Sequence, residues 1–230
     1  MMTATKTSEL VNKRSFVYRK IAAVAVKSLG DSRLVTQVAV KEDSKISAAN
    51  LALIDLSVAT RIGFRGVNAK SHLESAELRL PSQPNLMEKS ADGALMTLRL
   101  GENEYWVLDG STNQGLMLDE LTTRPVPDNC YRLYCQNSHA WFMMTGKYIE
   151  QTMAKICGVD LRSSAFPLHG IVQTSVARVN AIIVRHEVNG LAVFSILSDS
   201  SSAEYLWDCL LDAMGEFNGG VAGAEVLGLA

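Results

Sequence analysis

The sequence has 230 residues, 47% of them apolar and 20% charged, with 22 Lys+Arg against 24 Asp+Glu for a formal charge of -2. That length suffices for one large domain or two packed halves around a real core, and the balanced charge leaves no basic excess to neutralise a phosphate backbone, which argues against nucleic acid as a partner. The longest apolar run, Ile21 to Val26 between Lys20 and Lys27, is far short of the ~20 residues of a membrane span, and the N-terminus lacks the apolar core and cleavage site of a secretory signal, so no membrane is expected and the cytoplasm is the expected location.

Residues 1–44 are polar and mixed, without sustained periodicity, and predict a partly ordered N-terminal arm before a domain over 45–218. Asn50 to Ser57 leads into Arg61 to Gly66, an alternating strand that ends at a glycine. A helix is expected from Val67 to about Leu78. Pro81 and Pro84 mark a loop, after which Ala94–Leu100 and Glu104–Leu108 read as a hairpin turned at Gly101-Glu102-Asn103. Ser111 or Thr112 can cap a helix to about Leu121, and Pro125 and Pro127 mark a linker.

The second half repeats this order. Tyr131–Cys135 and Ala140–Met144 read as strands, Gly146 stands where Gly66 stood, and a helix follows from Lys147 to Cys157. Val172–Val179, Ile182–Arg185 and Leu191–Leu197 are further strands. The closing helix, Ser201 to Phe217, shows the clearest pattern of all. Ser201 and Glu204 form a capping-box signature, Ala203, Leu206, Trp207, Leu210, Met214 and Phe217 share one face, and Gly219-Gly220 should end it before a tail over 219–230. The repeated order predicts an α+β fold of two βαββα modules, 51–124 and 129–217, with helices on one face of the sheets and a pseudo-twofold relation between the modules.

The short patterns that carry a known mechanism are absent: no G-x-S-x-G, H-E-x-x-H, P-loop or G-x-G-x-x-G occurs. Cys130, Cys135, Cys157 and Cys209 are too sparse for a disulfide framework. Cys130 and Cys135, read as strand residues five apart, point to opposite faces and make a poor metal pair with His139 in a turn. His72 and His186 have no evident partner, and His169 in Phe166-Pro167-Leu168-His169-Gly170 lies on a bounded loop, where functional residues concentrate. Tyr105, Trp106, Trp141, Phe142, Phe194, Tyr205 and Trp207 read as packing residues. No catalytic, cofactor-binding or metal-binding residue is assigned. The one surface singled out is the acidic face Glu204, Asp208, Asp212 and Glu216, four like charges at i,i+4 steps that cost roughly 0.2–0.5 kcal/mol per pair and suit either water or a basic partner.

Leu53-Ile54-Asp55-Leu56-Ser57, a strand, and then Gly66-Val67-Asn68-Ala69 opening a helix resemble the start of the glycine-cleavage T-protein family of folate-binding proteins. Gly158-Val159-Asp160-Leu161, Ala165-Phe166-Pro167, Gln173-Thr174 and Ala203-Glu204-Tyr205-Leu206-Trp207-Asp208 resemble one branch of it, the gamma subunit of heterotetrameric sarcosine oxidase. The resemblance runs from about Leu51 to Phe217 and is more specific in the second half.

What it implies is a T-protein-like folate-binding-domain fold in a non-catalytic gamma subunit, bound to alpha, beta and delta subunits in a complex that demethylates sarcosine to glycine. FAD, FMN, NAD and tetrahydrofolate would sit on the partner subunits and none on this chain. T-proteins carry an Asp-Asp pair before the strand matching Leu95–Leu100, and here those places hold Gly93 and Ala94. They also continue beyond the helix matching Ala203–Met214, whereas this sequence closes on VAGAEVLGLA, without a counterpart of their folate-clamping glutamate. The equivalent subunit of N-methylglutamate dehydrogenase, or a stand-alone T-protein-like aminomethyltransferase or repair factor, are the alternatives.

Overall fold

The computed structural model describes residues 13–39, 50–112 and 116–229. After a 3-10 turn at Tyr18–Lys20 come β1 (Ala23–Leu29) and β2 (Ser32–Val38), then β3 (Ala52–Asp55), β4 (Arg61–Arg65), α1 (Ala69–Glu74), β5 (Leu86–Lys89), β6 (Leu95–Gly101), β7 (Glu104–Asp109) and α2 (Leu116–Thr123). The second half runs through β8 (Tyr131–Leu133), α3 (Cys135–Ser138), β9 (His139–Thr145), α4 (Ile149–Ile156), β10 (Ile171–Val176), β11 (Val179–Val188), β12 (Leu191–Asp199), α5 (Ala203–Gly215) and β13 (Gly220–Val221).

Two sheets stack in the middle and helices cover their outer faces. One sheet has the order β5-β6-β7-β4-β8, the other β10-β11-β12-β9-β3-β13; the first is wholly antiparallel and the second is antiparallel except for β13. Alternation along each strand sends one set of side chains to the helices and the other to the facing sheet. Ile62, Phe64, Tyr105 and Val107 therefore meet Ala69 and Leu73 of α1 and Leu118 and Leu121 of α2. In the second sheet Leu53, Phe142, Met144 and Ile196 meet Met153 of α4 and Leu206, Trp207 and Leu210 of α5. Between the sheets lie Met96, Leu98 and Trp106 from one and Ile54, Trp141, Met143 and Leu197 from the other. Burial of each large apolar side chain contributes roughly 1.5–3 kcal/mol, which places most of the stabilisation in these three layers.

The halves exchange a strand. β3, first in the sequence of its half, pairs with β9, and β8 pairs with β4. The exchange is fixed at two glycines. Gly66 (φ +132°) and Gly146 (φ +124°) each lie against the chain entering the borrowed strand: a Cβ on Gly66 would stand 2.0 Å from the Asn129 carbonyl oxygen, and one on Gly146 2.4 Å from that of Asn50. Only glycine permits both the positive φ and this approach. The two half-repeats expected at 51–124 and 129–217 are thus interlocked. Strand pairing depends on which edges meet in space, which a pattern within each half does not encode.

Several local expectations change. Over its described part, the arm forms the β1–β2 hairpin, with Leu29 and Leu34 in the core between the sheets. The tail packs back as well: β13 pairs in parallel with β3, and Ala222, Ala224, Leu227 and Leu229 are buried beside the hairpin. β5 lies within what read as a loop after Pro84. Cys135 opens a helical turn instead of ending a strand, and His139 begins β9. The first helix stops at Glu74, four residues early.

Asp199 caps the short 3-10 turn, Ser200–Ser202, that leads into the closing helix, its Oδ1 accepting from Ser201 N at 2.8 Å; Ser202 at the N-cap of α5 makes no side-chain cap bond, and no capping box forms with Glu204. At its other end Asn218, at φ +52°, and the Gly219 N–H to Met214 C=O bond terminate it, an arrangement of the Schellman type.

Candidate functional site

A cavity of about 550 Å³ lies at the junction of the two sheets, and its wall includes Lys27 of β1, Lys89 of β5, the Asp92-Gly93-Ala94 turn, His186 of β11 and Asn189. Two hairpins shape it. The β11–β12 turn is Asn189-Gly190 with both residues at positive φ (+48° and +78°), the dipeptide that suits a two-residue turn between twisted strands. The β5–β6 turn is held by Asp92, whose Oδ1 accepts from Ala94 N at 3.0 Å and from Ser90 Oγ. Those bonds hold the Asp92 carboxyl below the usual carboxylate range. Its lone pairs serve the turn, and Gly93 and Ala94 present no carboxylate. Lys89 Nζ donates to the Glu187 carbonyl at 2.7 Å.

His186 is completely buried at this wall. Trp141 Nε1 donates to Ser195 Oγ at 2.9 Å, and Ser195 Oγ lies 2.8 Å from His186 Nε2. With the hydroxyl donating to Nε2, the ring proton sits on Nδ1, which has no hydrogen-bond partner among the described residues. Loss of solvation pushes the His186 pKa down to about 3, aided by the nearby Lys89 charge. The imidazole is therefore neutral at pH 7 and cannot serve as a proton carrier there.

The Asp55-Leu56-Ser57 stretch builds a buried polar knot, not an exposed site. Asp55 Oδ1 accepts from Ser57 N at 2.9 Å, and Ser15 Oγ of the N-terminal segment donates to its other oxygen. Burial raises the Asp55 pKa. Arg61, also buried, donates to the carbonyls of Ser57 (3.1 Å), Ala59 (2.8 Å), Gln136 (3.3 Å) and His139, and desolvation lowers its pKa to about 10. The knot ties the entry of β4 to the entry of β9, so the motif's chemistry is architectural.

The acidic face is exposed, and two of its four members already have lysine partners within the chain. Lys20 Nζ stands 2.7 Å from Asp208 Oδ2, and Lys155 Nζ stands 3.0 Å from Glu216 Oε2. Glu204 and Asp212 have no salt bridge among the described residues. Beside them a groove of about 730 Å³ runs between α4 and α5, lined by Tyr205, Cys209 and Arg178 among others. Tyr205, expected in the core, is half exposed because it falls on the charged flank of α5.

The remaining singled-out residues are structural. His72 packs on Phe64 with ring centroids 5.1 Å apart, and His139 stands edge-on to Trp106 at 4.7 Å. His169 acts through its backbone: at φ +66° it donates its N–H to Arg185 C=O and accepts from Met87 N, joining the edges of the two sheets. Cys130, Cys135 and Cys157 are buried free thiols, and burial pushes Cys135 up to about 12. No metal-binding cluster occurs among the described residues. The cavity brings Gly93-Ala94 and His186, far apart in the sequence, onto one wall, a meeting that no local pattern signals.

A stack of helix, sheet, sheet and helix with exchanged strands defines the class of protein. Residues 90–229 match the family described as the GCVT N-terminal domain; this is more than half of the chain, and the protein belongs to that family. No curated protein matches the chain.

Among solved structures, the heterotetrameric sarcosine oxidase from Corynebacterium sp. U-96, in complex with pyrrole 2-carboxylate, contains a chain similar over 77% of this one and 90% of its own, at 21% identity and a TM-score of 0.64. The glycine cleavage system aminomethyltransferase T from Bartonella henselae is similar over 94% of this chain, at 16% identity and a TM-score of 0.67. This chain spans about 60% of that transferase's length. At such identities the likeness is one of fold.

Proposed function

We propose that this chain is a non-catalytic, T-protein-like subunit of the gamma type, working inside a sarcosine-oxidising complex whose alpha, beta and delta subunits carry FAD, FMN, NAD and tetrahydrofolate. The observation that carries the reading is the β5–β6 turn. Where the resemblance to T-proteins calls for an acidic pair, Gly93 and Ala94 face the cavity, and the adjacent Asp92 is engaged in holding the turn. A placed general acid or base contributes ~10²- to 10⁴-fold to a rate. The buried neutral His186 does not replace it. These residues do not fit a one-carbon transfer site, and no step is assigned to them.

The likeness in fold to a chain of the heterotetrameric sarcosine oxidase is in keeping with the subunit reading. The matching strand orders and the paired Gly66 and Gly146 support a duplicated βαββα module with pseudo-twofold symmetry as the origin of this scaffold.

Glu204 and Asp212, the acids without lysine partners among the described residues, are the part of the acidic face left to meet a basic partner surface, where complementary charge steers association. Co-expression with the larger subunits tests the proposal: the chain should co-purify with them, and Glu204→Lys with Asp212→Lys should lower recovery and its salt dependence. Failure of the wild-type chain to enter the complex would overturn the subunit reading; an unchanged double variant would overturn only the acidic contact.

A further inference from the structure

Among the described residues, only one of the two exchanged strands has both edges filled. β3 pairs with β9 on one side and β13 on the other, where Gly220 N donates to Leu51 C=O at 3.2 Å and Ala222 N to Leu53 C=O at 2.9 Å. β8 holds the matching place in the other sheet and pairs with β4, but among the described residues no strand lies on its outer edge.

The correspondence is set by the two glycines. The Gly66 position touches Asn129 C=O and Cys130 Cα as the Gly146 position touches Asn50 C=O and Leu51 Cα, so Cys130 and Arg132 stand where Leu51 and Leu53 stand. Backbone groups alternate direction along a strand; the N–H and C=O of Arg132 therefore face outward, as those of Leu53 face β13.

An open edge is usually guarded by charge, proline or a bulge. Here the guanidinium of Arg132 is folded back onto the Arg124 carbonyl, and Tyr131 and Tyr134, 63% and 70% exposed, flank the edge instead. Tyrosines offer a large contact area with few rotatable bonds.

We propose that β8 is a docking edge for an extended segment of another polypeptide chain, added parallel to β8 in the register that β13 adopts on β3. The first residue of the segment donates its N–H to Cys130 C=O and accepts from Arg132 N–H, and its third residue donates to Arg132 C=O. A small residue suits the first place, as Gly220 does in β13, and an apolar one can cover Tyr131.

A second copy fits less well. Twofold pairing of β8 with itself is antiparallel and departs from the parallel register that β13 adopts on β3, while the parallel strand of a second copy, β13, is engaged on its own β3. The inference holds whether or not the chain is a gamma-type subunit.

Amide hydrogen exchange on the isotope-labelled whole chain tests it. In the free chain at micromolar concentration, the Arg132 amide should exchange roughly 10²- to 10³-fold faster than the Leu53 amide beneath β13. Equal protection at every concentration would mean that the chain covers its own edge, and protection rising with concentration would mean a second copy; either overturns the proposal. A peptide with the sequence of residues 217–224, FNGGVAGA, at millimolar concentration should then slow Arg132 exchange at least about tenfold, whereas the same peptide with proline at the Ala222 place should not. An effect confined to β3, an equal effect of the proline peptide, or no effect would overturn it. Arg132→Pro in the whole chain should abolish the slowing, and if that variant fails to fold the proline peptide decides alone.

Discussion

The sheet β5-β6-β7-β4-β8 and the sheet β10-β11-β12-β9-β3 are put together in the same order, each completed by a strand from the other half and each locked by a glycine against an asparagine carbonyl. They differ in what is laid on that frame. Where β6 ends with Gly101 opposite Glu104, β11 places the buried His186 opposite Val193, and where β3 is covered by β13, β8 ends in exposed tyrosines. One scaffold tolerates a glycine or a buried histidine at the ends of corresponding strands, and a closed or an open edge, provided the glycine locks stay. The differences lie in the cavity wall and the rim.

The largest effects should come from the locks. Gly66→Ala and Gly146→Ala each force a side chain into a positive-φ position and onto a backbone carbonyl, and each should destabilise by on the order of 3 kcal/mol or more, measured by urea unfolding. Similar losses at both would sharpen the comparison; a mild effect at one would break it.

Next comes the rim. Leu227→Ala, which removes a buried side chain that helps hold the tail beneath the sheets, should cost ~2–4 kcal/mol, while Tyr131→Ala on the open edge should stay within ~0.5 kcal/mol. Comparable losses at the two would mean that β8 is as closed as β3.

The third effect depends on pH. The folded-state pKa of His186 lies near 3, below its ordinary value of 6.5, so between those values the unfolded chain binds the extra proton and stability falls as pH falls, by up to ~1.4 kcal/mol per pH unit. His186→Met, which removes the imidazole and keeps an apolar side chain of similar size, should flatten the dependence of Tm on pH between 6.5 and 4. A residual slope is expected from His72 and His139, whose pKa values burial also lowers. An unchanged slope would show that His186 does not carry the acid sensitivity.

The smallest effect belongs to Lys20→Gln, which removes the exposed partner of Asp208. Tm should move by no more than a degree or two at low salt and not at all at high salt, since exposed pairs are weak and screened. A large or salt-independent shift would mean that the N-terminal segment is held to α5 chiefly by this pair.

Much of this frame could be read from the residues. The β6–β7 hairpin, the two glycines after β4 and β9, and the apolar face of α5 all follow local periodicity or turn chemistry, and the structure keeps them. The β1–β2 hairpin did not show because Val24 and Val26 are exposed, so its apolar alternation does not mark a buried face. The cap expected at Ser201 is replaced by Asp199, whose carboxylate accepts the Ser201 N–H and opens a 3-10 turn ahead of α5. Strand exchange, the covering of β3 by β13 and the meeting of Gly93 with His186 at one cavity are contacts across long stretches of chain, and no window of sequence contains them.

The central claim, that this scaffold supports a complex and does not itself transfer a one-carbon unit, is tested most directly on the purified chain alone. It should be incubated with tetrahydrofolate and a methylene donor accepted by an active aminomethyltransferase, and product folate measured against buffer. No turnover above the buffer rate is expected from a cavity whose turn offers Gly93 and Ala94; folate-dependent transfer by the chain, lost on changing Asp92 to Asn, would contradict it.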